Sequence, residues 1–356
     1  MRRLISVVIV AAFLQIAGLA VAGGVKPEAC SLDEKYLLGL YTGNGEQILV
    51  REDGGMLQLL YRYLPEDRDF RKSNIFPLQK KHYDSYLLRE AGALTDTEGT
   101  VKFERDKDGH GISCSIGGNR YTRKFFGPEK GDYFKIKPPK PWAELQTGAA
   151  SALMPVQTAP QKAVLVDLSA VQGLMLDLRY ATENNCFSYP LYSEANAYLD
   201  KSAAGALARV AEKLASYGYG LLVWDAYRPW HLSKLAYDAL PPEQKYLLPE
   251  PQKGSPHNTG RAVDLSLYEL ETGKPVNMIS EFDEPSLRQY GRYAGGTSLE
   301  RWQRNLLWQL MSLEGFNCSE TEWWHFEYGN VKDYRLLDIP LSDLGQAKAL
   351  SNLASM

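Results

Sequence analysis

The stretch Ser255-Pro-His-Asn-Thr-Gly-Arg-Ala-Val-Asp264 decides how the second half of this 356-residue chain is interpreted. It places an imidazole, His257, and a carboxylate, Asp264, seven positions apart. Gly260 lies between them and lets the chain fold back, so the two side chains can converge as metal ligands. A His and an Asp at this spacing are common, so the meaning of the stretch depends on its surroundings.

A second imidazole stands beside a carboxylate in Glu322-Trp-Trp-His325. His257, Asp264 and His325 together form a candidate catalytic zinc set, because two His and one Asp leave one coordination position open for water. Peptide hydrolysis also needs a base, for which Glu322 is the candidate. Residues three apart in a regular strand point to opposite faces, so Glu322 and His325 can act together only across a bulge, turn or helical step. An aromatic core around a satisfied histidine is the alternative interpretation.

Upstream of both motifs, Asp225-Ala-Tyr-Arg-Pro229 follows the predicted buried strand Tyr219-Gly-Leu-Leu-Val-Trp224. Arg228 is a candidate donor to the oxyanion that develops during peptide hydrolysis, since a planar guanidinium suits that charge. His231 follows closely, and packing or surface exposure explains it better than a ligand role.

Helices and strands mix in this half without a regular βαβ alternation. Alanines together with Leu207, Val210 and Leu214 recur at helical spacing from Lys201 to about Tyr217. Further helices are predicted from Pro229 through Leu240 and, after a capping box at Thr297-Ser-Leu-Glu300, up to Gly315. This arrangement predicts an α+β fold rather than a doubly wound α/β fold.

The first half is predicted to be a separate small β-rich, barrel-like domain over residues 23–137. Short apolar runs are bounded there by Gly-Asn-Gly, Asp-Gly-Gly and Asp-Gly turns; the runs are Gln47–Arg51, Met56–Tyr61, Ser85–Leu88 and Val101–Glu104. Residues 138–161 are rich in Pro and small residues and are predicted to be a linker, which assigns residues 162–356 to the second domain.

Residues 1–22 have the pattern of a cleavable signal peptide. Arg2 and Arg3 precede an apolar run, and Ala20-Val21-Ala22 is the small-x-small pattern of a cleavage site. We expect cleavage after Ala22, export to the periplasm or beyond, and a mature chain without a membrane span. A membrane anchor is the alternative, but the run is shorter than the roughly 20 residues that cross a bilayer.

Charge and cysteine content narrow the classes of partner and environment. Without Arg2 and Arg3, 38 basic residues face 43 acidic ones, so nothing suggests a nucleic acid partner. Four cysteines in an exported chain permit two disulfides, and the domain boundary favours Cys30 with Cys114 and Cys186 with Cys318. Free buried thiols are the alternative.

In combination and order, the motifs of the second half resemble the zinc D-alanyl-D-alanine dipeptidases, the vancomycin-resistance type. The resemblance runs from about Val164 to Tyr328 and includes S-x-H-x-x-G-x-A-x-D, E-x-W-H, Asp177-Leu-Arg-Tyr-Ala-Thr182 and Asp225–Pro229. Two positions depart from the family pattern: Ile279 stands where Gly is common, and Cys186 interrupts an Asn-Phe pair. The first half loosely resembles the lipocalin-like β-domains attached to some bacterial hydrolases, which implies an accessory or binding role.

The resemblance implies a role for each site residue. It implies one zinc ion per catalytic domain held by His257, Asp264 and His325, with Glu322 as base and Arg228 as transition-state stabiliser. It also implies that three further residues contact the dipeptide substrate; these are Ser255, Tyr180 and Asp283. The implied activity is hydrolysis of D-alanyl-D-alanine in cell-wall peptide (peptidoglycan) turnover.

Two other functions remain open at this point. A cell-wall D,D-carboxypeptidase or endopeptidase shares the metal chemistry but takes longer peptides. A catalytically silent protein that binds wall peptides would need neither Glu322 nor Arg228, so their presence favours an enzyme. Oligomeric state, the ligand of the first domain and any link to antibiotic resistance are not predicted.

Overall fold

The computed structural model describes residues 25–63, 74–88 and 99–345. The predicted signal peptide of residues 1–22 lies outside this part of the chain. Within the described ranges, every helix is too short or too polar to cross a membrane. Two structural units follow one another, a closed β-barrel and a mixed α+β unit, as the sequence predicts.

The first unit is an antiparallel barrel in which each strand pairs with the next and β8 closes on β1. A one-turn helix, α1 (Leu32–Lys35), precedes it. The strands are β1 (Gly39–Gly43), β2 (Glu46–Asp53), β3 (Met56–Tyr61), β4 (Asn74–His82), β5 (Ser85–Leu88), β6 (Gly99–Arg105), β7 (Gly111–Ile116) and β8 (Asn119–Lys124). The predicted strands all form, and the barrel-like fold is confirmed.

Strand alternation gives the barrel two apolar surfaces. On β2, Ile48 and Val50 point into the packed interior, whereas Leu49 points outward. Leu40 on β1 and Leu60 on β3 are the register partners of Leu49, and the three form an outward leucine row. The row packs against the second unit, where it meets Ile279, Tyr293 and Ala294. An uninterrupted apolar run such as 48–50 is typical of a strand buried on both faces, and here the second face is the contact between units.

The second unit is built on a five-stranded sheet of order β10-β12-β13-β15-β14. Its strands are β9 (Leu165–Asp167), β10 (Leu174–Leu176), β11 (Tyr198–Asp200), β12 (Tyr219–Asp225), β13 (Ala262–Glu269), β14 (Phe316–Cys318) and β15 (His325–Tyr328). Its helices are α2 (Trp142–Ala150), α3 (Lys201–Ala215), α4 (Trp230–Ala239) and α5 (Ser298–Leu313). Strand β12 runs parallel to β10 and antiparallel to β13, and this mixed pairing confirms the α+β prediction.

Helix α5 begins at the predicted capping box. Thr297 Oγ1 accepts from Glu300 N at 3.1 Å, and the Glu300 carboxylate accepts from Thr297 N at 2.9 Å. The carboxylate of Glu52, from the barrel, accepts from Ser298 N at 2.7 Å. A carboxylate at a helix N-terminus is stabilised by the unpaired amide groups there, so this contact also ties the barrel to the second unit.

The predicted linker, residues 138–161, carries the helix α2. Leu145 and Ala149 on that helix are buried in an apolar cluster with residues of α4. At the end of the segment, Gln161 N donates to Asp333 O at 3.0 Å. Prolines flank this short helix, and two buried residues, Leu145 and Ala149, make no sustained apolar periodicity, so the sequence pattern indicated only a linker.

Neither of the hypothesised disulfides forms. All four cysteines lie within the described ranges, and all are free thiols. Cys114 points into the barrel interior, whereas Cys30 lies before α1 and is partly exposed. Cys186 Sγ lies 3.5 Å from an Asp283 carboxylate oxygen, and Cys318 Sγ lies 3.3 Å from Ser312 Oγ. Each thiol thus has surroundings of its own, and the domain boundary was not enough to pair them.

Candidate metal centre

Strand register brings the candidate site together. Asp225 at the end of β12 stands opposite Asp264 on β13, and Asp264 stands opposite His325 on β15. His257 lies in the helical turn just before β13, and the chain returns to the strand through Gly260 at φ 73°. The left-handed conformation at Gly260 is the fold-back that the sequence predicts.

The three predicted ligands lie within reach of one ion. His257 Nε2 is 3.2 Å from His325 Nδ1 and 3.4 Å from Asp264 Oδ2, and His325 Nδ1 is 2.9 Å from Asp264 Oδ1. Tetrahedral zinc with bonds of about 2.0–2.1 Å places its ligand atoms roughly 3.3 Å apart. These three side chains are the group of His, Cys, Asp and Glu residues that could hold a metal ion among the described residues. The set fits zinc, and zinc binding itself stays a prediction.

Backbone and side-chain acceptors orient both imidazoles. His257 Nδ1 lies 2.8 Å from the carbonyl oxygen of Ala226, so it carries the proton and leaves Nε2 free to bind a metal. His325 Nε2 lies 3.4 Å from Glu327 Oε1, which leaves Nδ1 facing the site. Such partners fix the tautomer and ring orientation of a ligand histidine. Glu327 was missed from the sequence, although its position two residues after His325 puts both on one face of β15.

The electrostatics of the cluster favour a positive charge at its centre. Burial opposes ionisation of Asp264, but the charges and hydrogen bonds of His257 and His325 hold its pKa well below the usual range. Burial also disfavours the His325 imidazolium, yet the hydrogen bonds to Asp264 and Glu327 outweigh it and raise the pKa to about 10. A metal ion would take the place of the proton that this cluster otherwise holds.

Glu322 and His325 are joined by a tight turn. His325 N donates to Glu322 O at 3.1 Å, with Trp323 and Trp324 buried between them, so the predicted turn is confirmed. Burial raises the pKa of the Glu322 carboxyl against the opposing charge of His325. A carboxylate with a raised pKa is suited to accept and return a proton near neutral pH.

The Arg228 guanidinium is held by a buried carboxylate, that of Asp225. Its Nε and Nη2 donate to Asp225 Oδ2 at 3.0 and 2.5 Å, and the Tyr192 hydroxyl donates to the other oxygen at 2.5 Å. Two nitrogens of the guanidinium are thus held by one carboxylate oxygen. Asp225 was not predicted as a site residue, although it stands three positions before Arg228 at a strand end.

Two of the three predicted substrate residues meet beside Arg228. Tyr180 Oη donates to Asp283 Oδ2 at 2.8 Å, and its ring centre lies 4.9 Å from the Arg228 guanidinium carbon. Burial raises the pKa of Asp283 to about 7, and Asp264 and Glu322 add to the rise. Ser255 caps the turn that carries His257, since its Oγ accepts from His257 N at 3.3 Å. Contact of these residues with substrate stays a prediction.

Comparison with known proteins places this site in a family. The family described as D-ala-D-ala dipeptidase, peptidase M15, matches residues 161–340, which begin after the barrel. A D-alanyl-D-alanine dipeptidase of Escherichia coli (strain K12) is 33% identical over 174 residues, which are 49% of this chain and 89% of that protein. A protein of the same name from Enterococcus faecalis (strain ATCC 700802 / V583) is 33% identical over 196 residues, 49% of this chain and 91% of the relative. One from Streptomyces coelicolor is 29% identical over 178 residues, 44% of this chain and 86% of the relative. The chain is a hydrolase of the M15 metallopeptidase family, with a barrel added in front of the part that these relatives share.

Proposed function

We propose that this protein hydrolyses the free dipeptide D-Ala-D-Ala with one zinc ion bound by His257, Asp264 and His325. The observation that carries the proposal is the convergence of these three side chains at ligand spacing, with Glu322 and Arg228 beside them. The names of the relatives supply the substrate class. A site built only to bind peptide would need neither a base nor an oxyanion donor.

Each residue has one task in this mechanism. When bound, zinc supplies Lewis-acid chemistry that polarises the scissile carbonyl and makes water acidic. Asp283, held by Tyr180, pairs with the free ammonium of the dipeptide. Glu322 takes a proton as water adds to the peptide carbon and returns it to the amine nitrogen when the C–N bond breaks. Arg228 donates to the tetrahedral oxyanion, where its charge is worth most.

The place of action is part of the proposal. The pattern of residues 1–22 supports export with cleavage after Ala22, and D,D-peptides belong to the bacterial cell wall, so turnover of wall peptides is the proposed role. Cell fractionation with sequencing of the mature N-terminus tests this step. A mature chain that begins at Met1 in the cytoplasm would overturn it.

Hydrolysis assays of the mature protein test the activity. D-Ala-D-Ala, L-Ala-L-Ala and a longer wall peptide ending in D-Ala-D-Ala are compared with zinc, with a chelator and in the Glu322→Gln variant. We expect zinc-dependent cleavage of the free D,D-dipeptide, lost in the variant. Cleavage of the long peptide alone would favour the carboxypeptidase or endopeptidase function, and no cleavage despite bound zinc would favour a binding protein.

A further inference from the structure

The loop Met278–Asp283, here called the 278–283 loop, runs from the barrel contact to the substrate residues. We infer that the barrel is a positioning element for this loop, and so sets how tightly the enzyme holds the substrate ammonium. The inference rests on the proposed function, because it takes Asp283 as the ammonium partner. It assigns the barrel a task within the site rather than a separate ligand.

The barrel contacts the 278–283 loop at Ile279. This side chain is 5% exposed and packs in one apolar cluster with the outward leucine row of Leu40, Leu49 and Leu60. A glycine at this position would remove the side chain through which the 278–283 loop packs on the leucine row.

The rest of the loop is fixed to the catalytic side. Ser280, next to Ile279, accepts from Trp323 Nε1 at 2.7 Å, and Trp323 directly follows Glu322. Asp283 at the other end has φ 56°, a left-handed conformation that Asp adopts more often than most non-glycine residues and that its contacts restrain here. The Tyr180 hydroxyl is one such restraint. A shift at Ile279 would therefore reach Asp283 through a loop of five residues.

Polar contacts prevent the barrel from sliding on the second unit. The Glu52 carboxylate, 1% exposed, accepts from Ser298 N at 2.7 Å and from Ser298 Oγ at 2.8 Å. Arg301 Nη2 donates to the Glu52 carbonyl at 2.7 Å and to Asp53 Oδ1 at 2.8 Å. Directional bonds of this kind fix register as well as distance. The leucine row thus meets Ile279 in one defined position.

The first experiment weakens the contact from each side, in Leu49→Ala and Ile279→Gly, and measures steady-state hydrolysis of D-Ala-D-Ala. We expect KM to rise about tenfold, as when a charged hydrogen bond loses part of its strength. The kcat should change less than about twofold, since the ammonium contact is the same in the ground and transition states. The double variant should lose less than the two single effects combined, because both remove one contact.

The barrel offers two matched controls. Ile75 on β4 is the register partner of Leu60 and continues the same outward row, but it is 39% exposed and lies beyond the contact. Ile75→Ala should leave KM unchanged. Val50 is next to Leu49 and points inward, so Val50→Ala should lower the Tm without changing KM. A rise in KM in Val50→Ala equal to that in Leu49→Ala would overturn the inference.

Hydrogen–deuterium exchange of residues 278–283 tests the coupling without any assay of activity. Leu49→Ala should speed exchange in this loop, and Ile75→Ala should not. If the wild type fails to cleave D-Ala-D-Ala, the proposed function fails while the exchange result still decides the coupling. Unchanged exchange in Leu49→Ala would overturn it.

Discussion

Two rows of three residues, each crossing three neighbouring strands in register, do opposite work in this molecule. In the barrel, Leu40, Leu49 and Leu60 form an apolar row that docks one unit on the other. In the second unit, Asp225, Asp264 and His325 form a polar row at the candidate metal centre. Both rows cross antiparallel strands, although the polar row has a register shift between Val223 and Asp225, and the side chains decide the result.

The energetics of the rows differ in sign. Burying a leucine side chain contributes about 1.5–3 kcal/mol, so the apolar row stabilises the fold by itself. Burying a charged group costs several kcal/mol unless partners compensate it. Histidine, arginine and tyrosine partners within the protein compensate the buried negative charges of the polar row, and a bound cation would compensate them further. Substitutions in the apolar row should therefore affect stability first, and substitutions in the polar row should affect catalysis first.

We expect the largest effect on activity when a predicted metal ligand in the polar row is removed. His325→Ala removes one of three ligand atoms, and we expect zinc affinity to fall at least about 100-fold and kcat/KM about 10⁴-fold. Competition with a chromogenic chelator measures the affinity, and steady-state kinetics measures the activity. His231→Ala is the control, since that histidine pairs with Asp338 outside the centre. Unaltered zinc binding in His325→Ala would remove this residue from the ligand set.

The next effect concerns the oxyanion donor beside the polar row. In Arg228→Lys the charge stays, but one ammonium cannot bond Asp225 through two nitrogens and still present a third donor to the substrate. We expect kcat to fall about 10²–10³-fold with little change in KM, as for the loss of an oxyanion donor. A variant with normal kcat and a raised KM would show that Arg228 serves binding alone.

A substitution in the apolar row should lower the stability of the fold. Leu49→Ala leaves a cavity at the contact, and we expect the free energy of unfolding to fall by about 2–4 kcal/mol. Urea unfolding followed by circular dichroism measures it. Ile75→Ala, in the exposed continuation of the row, should cost less than about 0.5 kcal/mol. Equal costs for the two would mean that the barrel is not docked through this row.

The sequence predicted the candidate metal centre better than the apolar row, for a physical reason. His257, Asp264, Glu322 and His325 carry chemistry that few other residues supply, so their motifs stood out; the structure brings the two histidines and Asp264 to ligand spacing, with the Glu322 charge acting on them. The strands of the barrel were predicted from turns and alternation. The docking row was missed because Leu49 and Leu60 lie within runs that a single buried strand also explains.

Contacts between residues that are far apart in the chain could not be predicted from the sequence. Nothing local links Glu52 with Ser298, or Ser280 with Trp323, because strand packing and unit docking decide which side chains meet. The disulfide hypothesis was wrong for the same reason, since pairing needs geometry that spacing does not give. Asp225 and Glu327, in contrast, were within reach through their spacing to Arg228 and His325.

We expect the smallest effect from the pH dependence of stability that Asp283 contributes. This dependence measures the cost of burying a charge near the polar row. Burial raises its pKa to about 7 in the folded protein, above the unfolded value of about 3.9. The folded state therefore holds a proton that the unfolded state has lost, and this stabilisation is present at low pH and disappears as the pH rises through 7. Asp283→Asn cannot undergo this loss. From pH 5 to pH 8, the free energy of unfolding of the metal-free variant should therefore rise by about 1–3 kcal/mol relative to that of the metal-free wild type. Urea unfolding at the two pH values measures this gain. A constant difference between the two proteins would mean that Asp283 is ionised in the fold at both pH values, and that the charges of the centre are better compensated than the structure indicates.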